Sequence, residues 1–307
     1  MGIKHLYKTI KEFAPKAMTE GVSLQKLKGA KVVIDLYLYL HRFHATQGSS
    51  FTGLFHQITT LRQAGIIPIY VIDGKPPELK NDTMIARHKL LEDRQKELKK
   101  KEEEGATKEE LFKLKNLAYR VDEDELKFCK KLFDLLGVPW IQSKGEADVL
   151  MASLVKDGKA DACLTEDGDV LALGCPVLWR KFKGGMVDIY VLDDVLKGLQ
   201  LDLTAFRELC VLSGCDYLNT VKGIGPKTAL RLLREYDTIM NFAKGKIPET
   251  YAWQEALRMF EEEAKSRKKI NIDNPKPKAL IAFLKKEMEL SDKRLAVIQN
   301  RASALMN

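Results

Sequence analysis

The sequence predicts an α/β fold: a mostly parallel sheet flanked by helices, with a charged helical projection and a helical C-terminal third. Three observations carry this. Short β-rich apolar runs alternate with amphipathic stretches, as βα units around a parallel sheet require. A long, densely charged segment interrupts that alternation. Beyond residue 200 the strand signals stop while helical ones continue. The 307 residues allow about two domains. They divide into an α/β core over 1–200 and a helical region over 201–307, forming one compact unit.

The elements follow in chain order. MGIKHLYKTIKEF is amphipathic and charged with no apolar leader, and Leu6 breaks the myristoylation pattern that Met-Gly begins. AKVVID (30–35), IIPIYVID (66–73) and DACLT (161–165) read as strands. PVLWRKF (176–182) and MVDIYVL (186–192) form a further pair with Gly184-Gly185 as the turn. Residues 79–118 are highly charged, sparsely apolar and broken at Gly105, which predicts a solvated helical hairpin projecting from the body. QGSSFTG (47–53) reads as a mobile loop. LDLTAFRELCVLSGC and VKGIGPKTALRLLREY give two helices around a turn. KSRKKINIDNPKPK (265–278) connects them to closing helices.

Composition narrows the function classes. Hydrophobic residues at 45% and charged residues at 31% exclude a disordered chain. No apolar run approaches the roughly 18 residues that a membrane span needs. The net charge of +8 favours phosphates, though many proteins reach it without such a partner. Five cysteines with no C-x-x-C argue against a disulfide framework or a structural zinc, and fit a reducing, intracellular compartment. His41 and His44 could share a helix face, with no third ligand near them in the sequence.

Acidic residues recur where such a fold collects its ligands, at the carboxyl ends of strands. Asp35 and Asp73 end two strands. GEAD supplies Glu146 and Asp148 at a helix start, TEDGD supplies Asp167 and Asp169, and SGCDY supplies Asp216. An acid at a strand exit ordinarily caps the next helix, and Asp35 or Asp73 alone reads that way. Together, seven carboxylates in one pocket cannot all stay ionised unaided. Either several protonate or divalent cations neutralise them. An oxygen-only set suits two Mg²⁺ or Mn²⁺ ions. A pair about 3.5–4 Å apart is the machinery of phosphodiester hydrolysis. Residues two apart share a site only at a helix terminus or in a turn. Gly145 before Glu146, and Gly168 between the two aspartates, provide for that.

These motifs resemble the flap endonuclease and exonuclease 1 group of structure-specific 5′ nucleases, the XPG/Rad2 family. VVID, IDGKPPELK, GEAD, TEDGD and SGCDYLNTVKGIGPKTAL carry the resemblance over nearly the whole chain, and Asp148 and Asp167 stand 19 residues apart as that family would have them. It implies a PIN-like core, two-metal cleavage of 5′ flaps, nicks, gaps and 5′ ends, and roles in DNA replication, repair or recombination. It implies a helical arch at 79–118, with Lys80 and Arg87 on one face, two turns apart, gripping the scissile phosphate. It places Gly2, His41, Gly223, Gly225 and Lys227 against DNA. His41 stacks on a nucleotide, and KGIGPK (222–227) forms a helix–two-turn–helix on duplex DNA. A monovalent cation such as K⁺ would sit at Ser213, Thr220 and the Ile224 carbonyl. The expected protein is a monomer acting on branched, nicked or 5′-ended duplex DNA. It is not expected at membranes. It is expected inside the cell: in the nucleus of a eukaryote, otherwise in cytoplasm or at a viral replication site.

Some features depart from the family pattern. His41 and SGCDYL lean toward exonuclease 1, and DGKPPELK toward flap endonuclease. The 32 residues from His41 to Asp73 are fewer than expected, and the shortfall falls on the wedge that splits DNA and helps hold a 3′ flap. RASALMN lacks a sliding-clamp tail motif. A catalytically inactive DNA-binding relative, or an RNA-directed nuclease on the same core, remain the alternatives.

Overall fold

The computed structural model describes residues 2–75, 81–265, 270–288 and 292–304. A seven-stranded sheet runs in the order β1-β7-β6-β5-β2-β3-β4. The strands are β1 (Met18–Ser23), β2 (Lys31–Asp35), β3 (Ile67–Ile72), β4 (Trp140–Gln142), β5 (Ala162–Leu164), β6 (Val177–Lys183) and β7 (Met186–Val191). β6, β5, β2, β3 and β4 are mutually parallel; β7 and β1 run antiparallel on one edge. β6 and β7 turn at Gly184 and Gly185, whose φ of 59° and 71° lie where glycine is favoured.

Alternate residues of the central strands feed two cores, as a period of two requires. Val33, Ile69, Val71 and Cys163 face one side. There they meet α1 (Leu6–Phe13), α7 (Ala147–Lys156), α8 (Asp169–Ala172), α10 (Leu203–Ser213) and α11 (Pro226–Tyr236). Val32, Ile34, Tyr70, Ile72 and Leu164 face the other. There they meet α2 (Leu36–Gln47), α3 (Ser50–Gln63), α6 (Glu123–Leu136), α14 (Pro277–Glu287) and α15 (Asp292–Ser303). Each core draws on side chains from both sides of residue 200.

The charged projection is a hairpin of α4 (Asn81–Glu103) and α5 (Lys108–Ala118). Gly105 turns between them at φ 72°. Thr107 and Glu110 start α5 with a reciprocal capping box.

Two strands lie outside the sequence expectation. β1 contains Glu20 and Gly21 and shifts register between Thr19 and Val22, so it shows no apolar alternation. β4 is three residues long. The expected mobile loop at QGSSFTG is corrected. Gly48 closes α2 in the left-handed region at φ 64°, and Ser49 caps α3 by accepting from the Thr52 amide. Two residues therefore join the helices, because Gly and Ser are a helix stop and a helix start side by side. Among the described residues no helix is long and apolar enough to cross a membrane.

Candidate active site

Four adjacent parallel strands, β5, β2, β3 and β4, bring their carboxyl ends to one place, and acids leave each of them. Asp35 is the last residue of β2. Its Oδ1 accepts from the Leu38 amide at 3.1 Å, so it caps α2 and faces the pocket at once. Asp73 follows β3. Its Oδ1 accepts from the Ala147 amide at 2.6 Å, capping α7 from another strand. Glu146 occupies the N-cap position of α7 without using its side chain there. Instead its Oε2 accepts from the Tyr217 hydroxyl at 2.7 Å. Asp148 sits in the first turn of α7, and its Oδ1 is buried with no hydrogen-bond partner among the described residues.

Asp167 stands on the turn after β5. Its Oδ1 accepts from the Asp169 amide at 3.1 Å, and its own amide donates to Thr165 Oγ1. Asp169 opens α8 and is buried. Asp216, half-buried, precedes Tyr217. A Cβ at Gly2, whose φ is 77°, would run into the Asp167 carboxylate, so only glycine lets the N-terminal backbone lie there.

The electrostatics fit a crowd of like charges. Burial, then Asp73 and Asp167, pushes the Asp35 carboxyl up to about 8. Burial, then Asp167, Asp35, Asp169 and Asp73, holds Asp148 well above the usual carboxylate range. Glu166 lies within the same acidic run but is neutralised elsewhere. It meets Arg42 at 2.6 Å and Arg180 at 3.2 Å, and accepts from the Lys181 amide. Arg180 in turn lies over the Tyr7 ring.

A buried carboxylate oxygen without a partner, surrounded by four further carboxyls, fits a divalent cation by charge and donor type. Among the described residues, however, no three acidic, histidine or cysteine side chains are arranged to ligate one ion directly. Mg²⁺ keeps several waters and takes few carboxylates plus substrate phosphates, so its site does not require direct ligation by three side chains.

The hairpin stands on α2. Asn116 donates to the Ala45 carbonyl, and Phe112 approaches Gly48. His44 stacks on Tyr119 with ring centroids 3.7 Å apart and 3° between planes; His41, exposed, meets the same ring edge-on at 5.1 Å. The Tyr119 hydroxyl and that of Ser50 both reach Glu125. Partial desolvation by the surrounding side chains holds both histidines below their ordinary range. Lys80 lies outside the described residues. Arg87 falls within α4, but its side chain also lies outside them.

In the helical region, α10 and α11 flank the KGIGPK turn. Gly223 takes φ 84°, Gly225 is the N-cap residue of α11, and nothing lies within 4 Å of a Cβ built on either. The turn is therefore open to an approaching backbone. Lys227 pairs with Glu12 at 2.5 Å. Ser213 and Ile224 are buried, and Thr220 packs on Gly214.

Sequence reasoning missed Tyr217 and the two arginines on Glu166. It also missed Arg120, whose charge is felt by Tyr37 beside Asp73 and Asp35. Only Tyr217 carried a local signal, by adjoining Asp216 in SGCDY.

Comparison with known proteins gives concordant results. A family model described as the XPG N-terminal domain matches residues 1–97, and one described as the XPG I-region matches residues 137–216. Flap endonuclease 1 of Entamoeba histolytica is 36% identical over 285 residues, covering 85% of this chain and 75% of that protein. The flap endonuclease-1 structure from Methanococcus jannaschii superposes with a TM-score of 0.73 at 25% identity, covering 97% of this chain and 98% of that one. The catalytic core of Rad2 in complex with DNA substrate superposes with a TM-score of 0.75 at 21% identity, covering 98% of this chain and 100% of that one.

Proposed function

The chain belongs to the XPG family of structure-specific 5′ nucleases, and from that membership we propose that it cuts DNA phosphodiesters near 5′ ends by a mechanism using two divalent ions. One observation carries the reading. Acids at the ends of four neighbouring strands converge on a pocket whose Asp148 Oδ1 is buried without a hydrogen-bond partner among the described residues. Asp35, Asp73, Glu146, Asp148, Asp167, Asp169 and Asp216 would hold Mg²⁺ or Mn²⁺. Bound there, such ions would supply the positive charge that activates water and stabilises the departing oxygen.

The remaining roles fall to the chain itself. Gly2 lets the N-terminal backbone lie against Asp167 and Asp169, where it would meet the DNA. Lys80 and Arg87 would steady the scissile phosphate. His41, braced by Tyr119, offers an exposed ring on which an unpaired base can stack. Gly223, Gly225 and Lys227 would take the duplex backbone, with Gly225 at a helix N-terminus where amides point at phosphate. K⁺ at Ser213, Thr220 and the Ile224 carbonyl would brace that turn. All five cysteines are free and buried, in keeping with an intracellular working place.

The two-residue joint between α2 and α3 favours the broader substrate range: nicks, gaps and recessed 5′ ends as well as flaps. The test uses 5′-labelled flap, nicked, blunt and single-stranded DNA with Mg²⁺. Wild type cuts the branched and nicked substrates, whereas Asp169→Asn binds them without cutting. Near wild-type turnover by Asp169→Asn would overturn the metal assignment. Equal cutting of single-stranded DNA would overturn structure specificity.

A further inference from the structure

Glu146 is an N-cap residue that does not cap. The capping role on α7 is taken by Asp73, whose carboxylate receives the Ala147 amide from across the sheet. That leaves the Glu146 carboxylate turned toward Tyr217, which donates to its Oε2 at 2.7 Å. Tyr217 is itself fixed from two directions. Its backbone lies in a tight turn closed by paired hydrogen bonds between Cys215 and Leu218, with Asp216 and Tyr217 at the two middle positions. Its ring meets the buried Phe260 edge-on, centroids 5.6 Å apart at 78°. A glutamate side chain has three rotatable bonds, and holding it in one rotamer costs conformational entropy. A tyrosine held at both ends supplies a fixed donor at a fixed point.

We propose that Tyr217 is a positioning residue. Its hydroxyl holds the Glu146 carboxylate in the orientation that receives a divalent ion, and so links the SGCDY turn of the helical region to the GEAD turn of the sheet. This rests on the reading of Glu146 as a metal ligand. Hydrogen-bonded partners of metal-binding carboxylates fix ligand orientation, and losing one typically weakens metal binding by about tenfold or more. The neutral phenol donates one proton and adds no charge, so it orients Glu146 without competing for the ion.

Tyr217→Phe separates this from packing, because it keeps the ring and its contact with Phe260 and removes only the donor. Two measurements are made on the full chain. Mn²⁺ binding to the DNA-free protein is followed by loss of the free-ion EPR signal. Single-turnover cleavage of a 5′-flap substrate is followed as Mg²⁺ is varied. Tyr217→Phe is expected to weaken Mn²⁺ binding by about tenfold and to raise the Mg²⁺ midpoint by a similar factor. Its melting temperature should be unchanged, and its cleavage rate should largely recover at saturating Mg²⁺. In a Glu146→Gln background the same substitution should change Mn²⁺ binding no further.

Unchanged Mn²⁺ binding by Tyr217→Phe overturns the proposal, and so does an equal loss in both backgrounds. A lowered melting temperature with normal Mn²⁺ binding assigns the residue to packing and likewise overturns it. If Glu146→Gln binds Mn²⁺ as wild type does, the ligand reading of Glu146 falls and takes the proposal with it. If wild type binds Mn²⁺ but cuts no DNA, the nuclease reading alone fails, since the binding arm still decides the role of Tyr217.

Discussion

Replacing Asp35 with Asn should make the metal-free protein more stable while removing its activity. Asp35 is 9% exposed. Burial first, and Asp73 next, push its carboxyl from the ordinary 3.8 up to about 8. The folded pKa is raised, so the folded state holds a proton that the unfolded chain has lost. The stability attached to this carboxyl is fully present below about pH 4 and is lost as pH rises toward 8. At about 1.4 kcal/mol per pH unit the ceiling near pH 8 is about 5 kcal/mol. Water reaching the pocket screens the carboxylates, and about 2 kcal/mol is the realistic order.

Asn removes the charge and keeps the cap, because its side-chain oxygen can still accept from the Leu38 amide. The assay is thermal unfolding in EDTA at pH 5.5 and pH 8. Asp35→Asn should melt higher, by about 4 °C at pH 8 and by less at pH 5.5. Saturating Mg²⁺ should reverse the order, since an ion bound only by the folded state adds about 2.7 kcal/mol at a hundredfold excess over its Kd, and the variant forfeits much of that. A variant no more stable than wild type at pH 8 in EDTA would refute the crowding argument. So would a gain of equal size at both pH values.

Two further predictions concern DNA. Lys227→Ala should weaken duplex binding regardless of sequence and reduce the log–log salt slope by about 1. Glu12→Gln should act oppositely, because it releases the lysine from its 2.5 Å ion pair; fluorescence anisotropy across a salt series checks both, and an unchanged slope removes Lys227 from the interface. Adding a single unpaired 3′ nucleotide to a 5′-flap substrate should speed cleavage little and leave a spread of products, because Gly48 and Ser49 join α2 directly to α3. A large gain with one sharp product on a sequencing gel would mean that another segment builds the pocket.

What the sequence made legible is what local pattern encodes. The central strands showed because Val32, Val33 and Ile34, like Ile69 to Ile72, are buried on both faces, which leaves continuous apolar runs. The acids showed because strand ends are where parallel sheets gather ligands. β1 was hidden because its register shift and exposed Glu20 erase the alternation. The Gly48-Ser49 joint was misread because the same two residues suit a loop or a stop followed by a start, and only the flanking helices decide. Partners distant in sequence were not legible. Asp73 caps a helix 74 residues further on. Glu166 is answered by Arg42, 124 residues before it. No period or motif marks such a pair.

The same long-range wiring explains why the hairpin and the pocket cannot be independent. α2 is 12 residues long, about 18 Å at 1.5 Å per residue. Asp35 caps its start, and Arg42 midway along it ties to Glu166, the neighbour of Asp167. His44, two residues on, stacks on Tyr119 at the foot of the hairpin, and Gly48 at its end lies under Phe112 of α5. His41 is held on the same face by the same tyrosine. A helix with its backbone hydrogen bonds intact does not bend at low cost; sharp kinks need a proline, a bulge or an inserted group, and LYLYLHRFHATQ contains no proline. A shift of α5 against α2 therefore acts on His41, Arg42 and Asp35 as one body. The two-residue joint extends that body into α3, since Ser50 bonds to Glu125, the same carboxylate that holds Tyr119. Where a long flexible loop would separate the hairpin from the carboxylate pocket, this chain has a continuous strut.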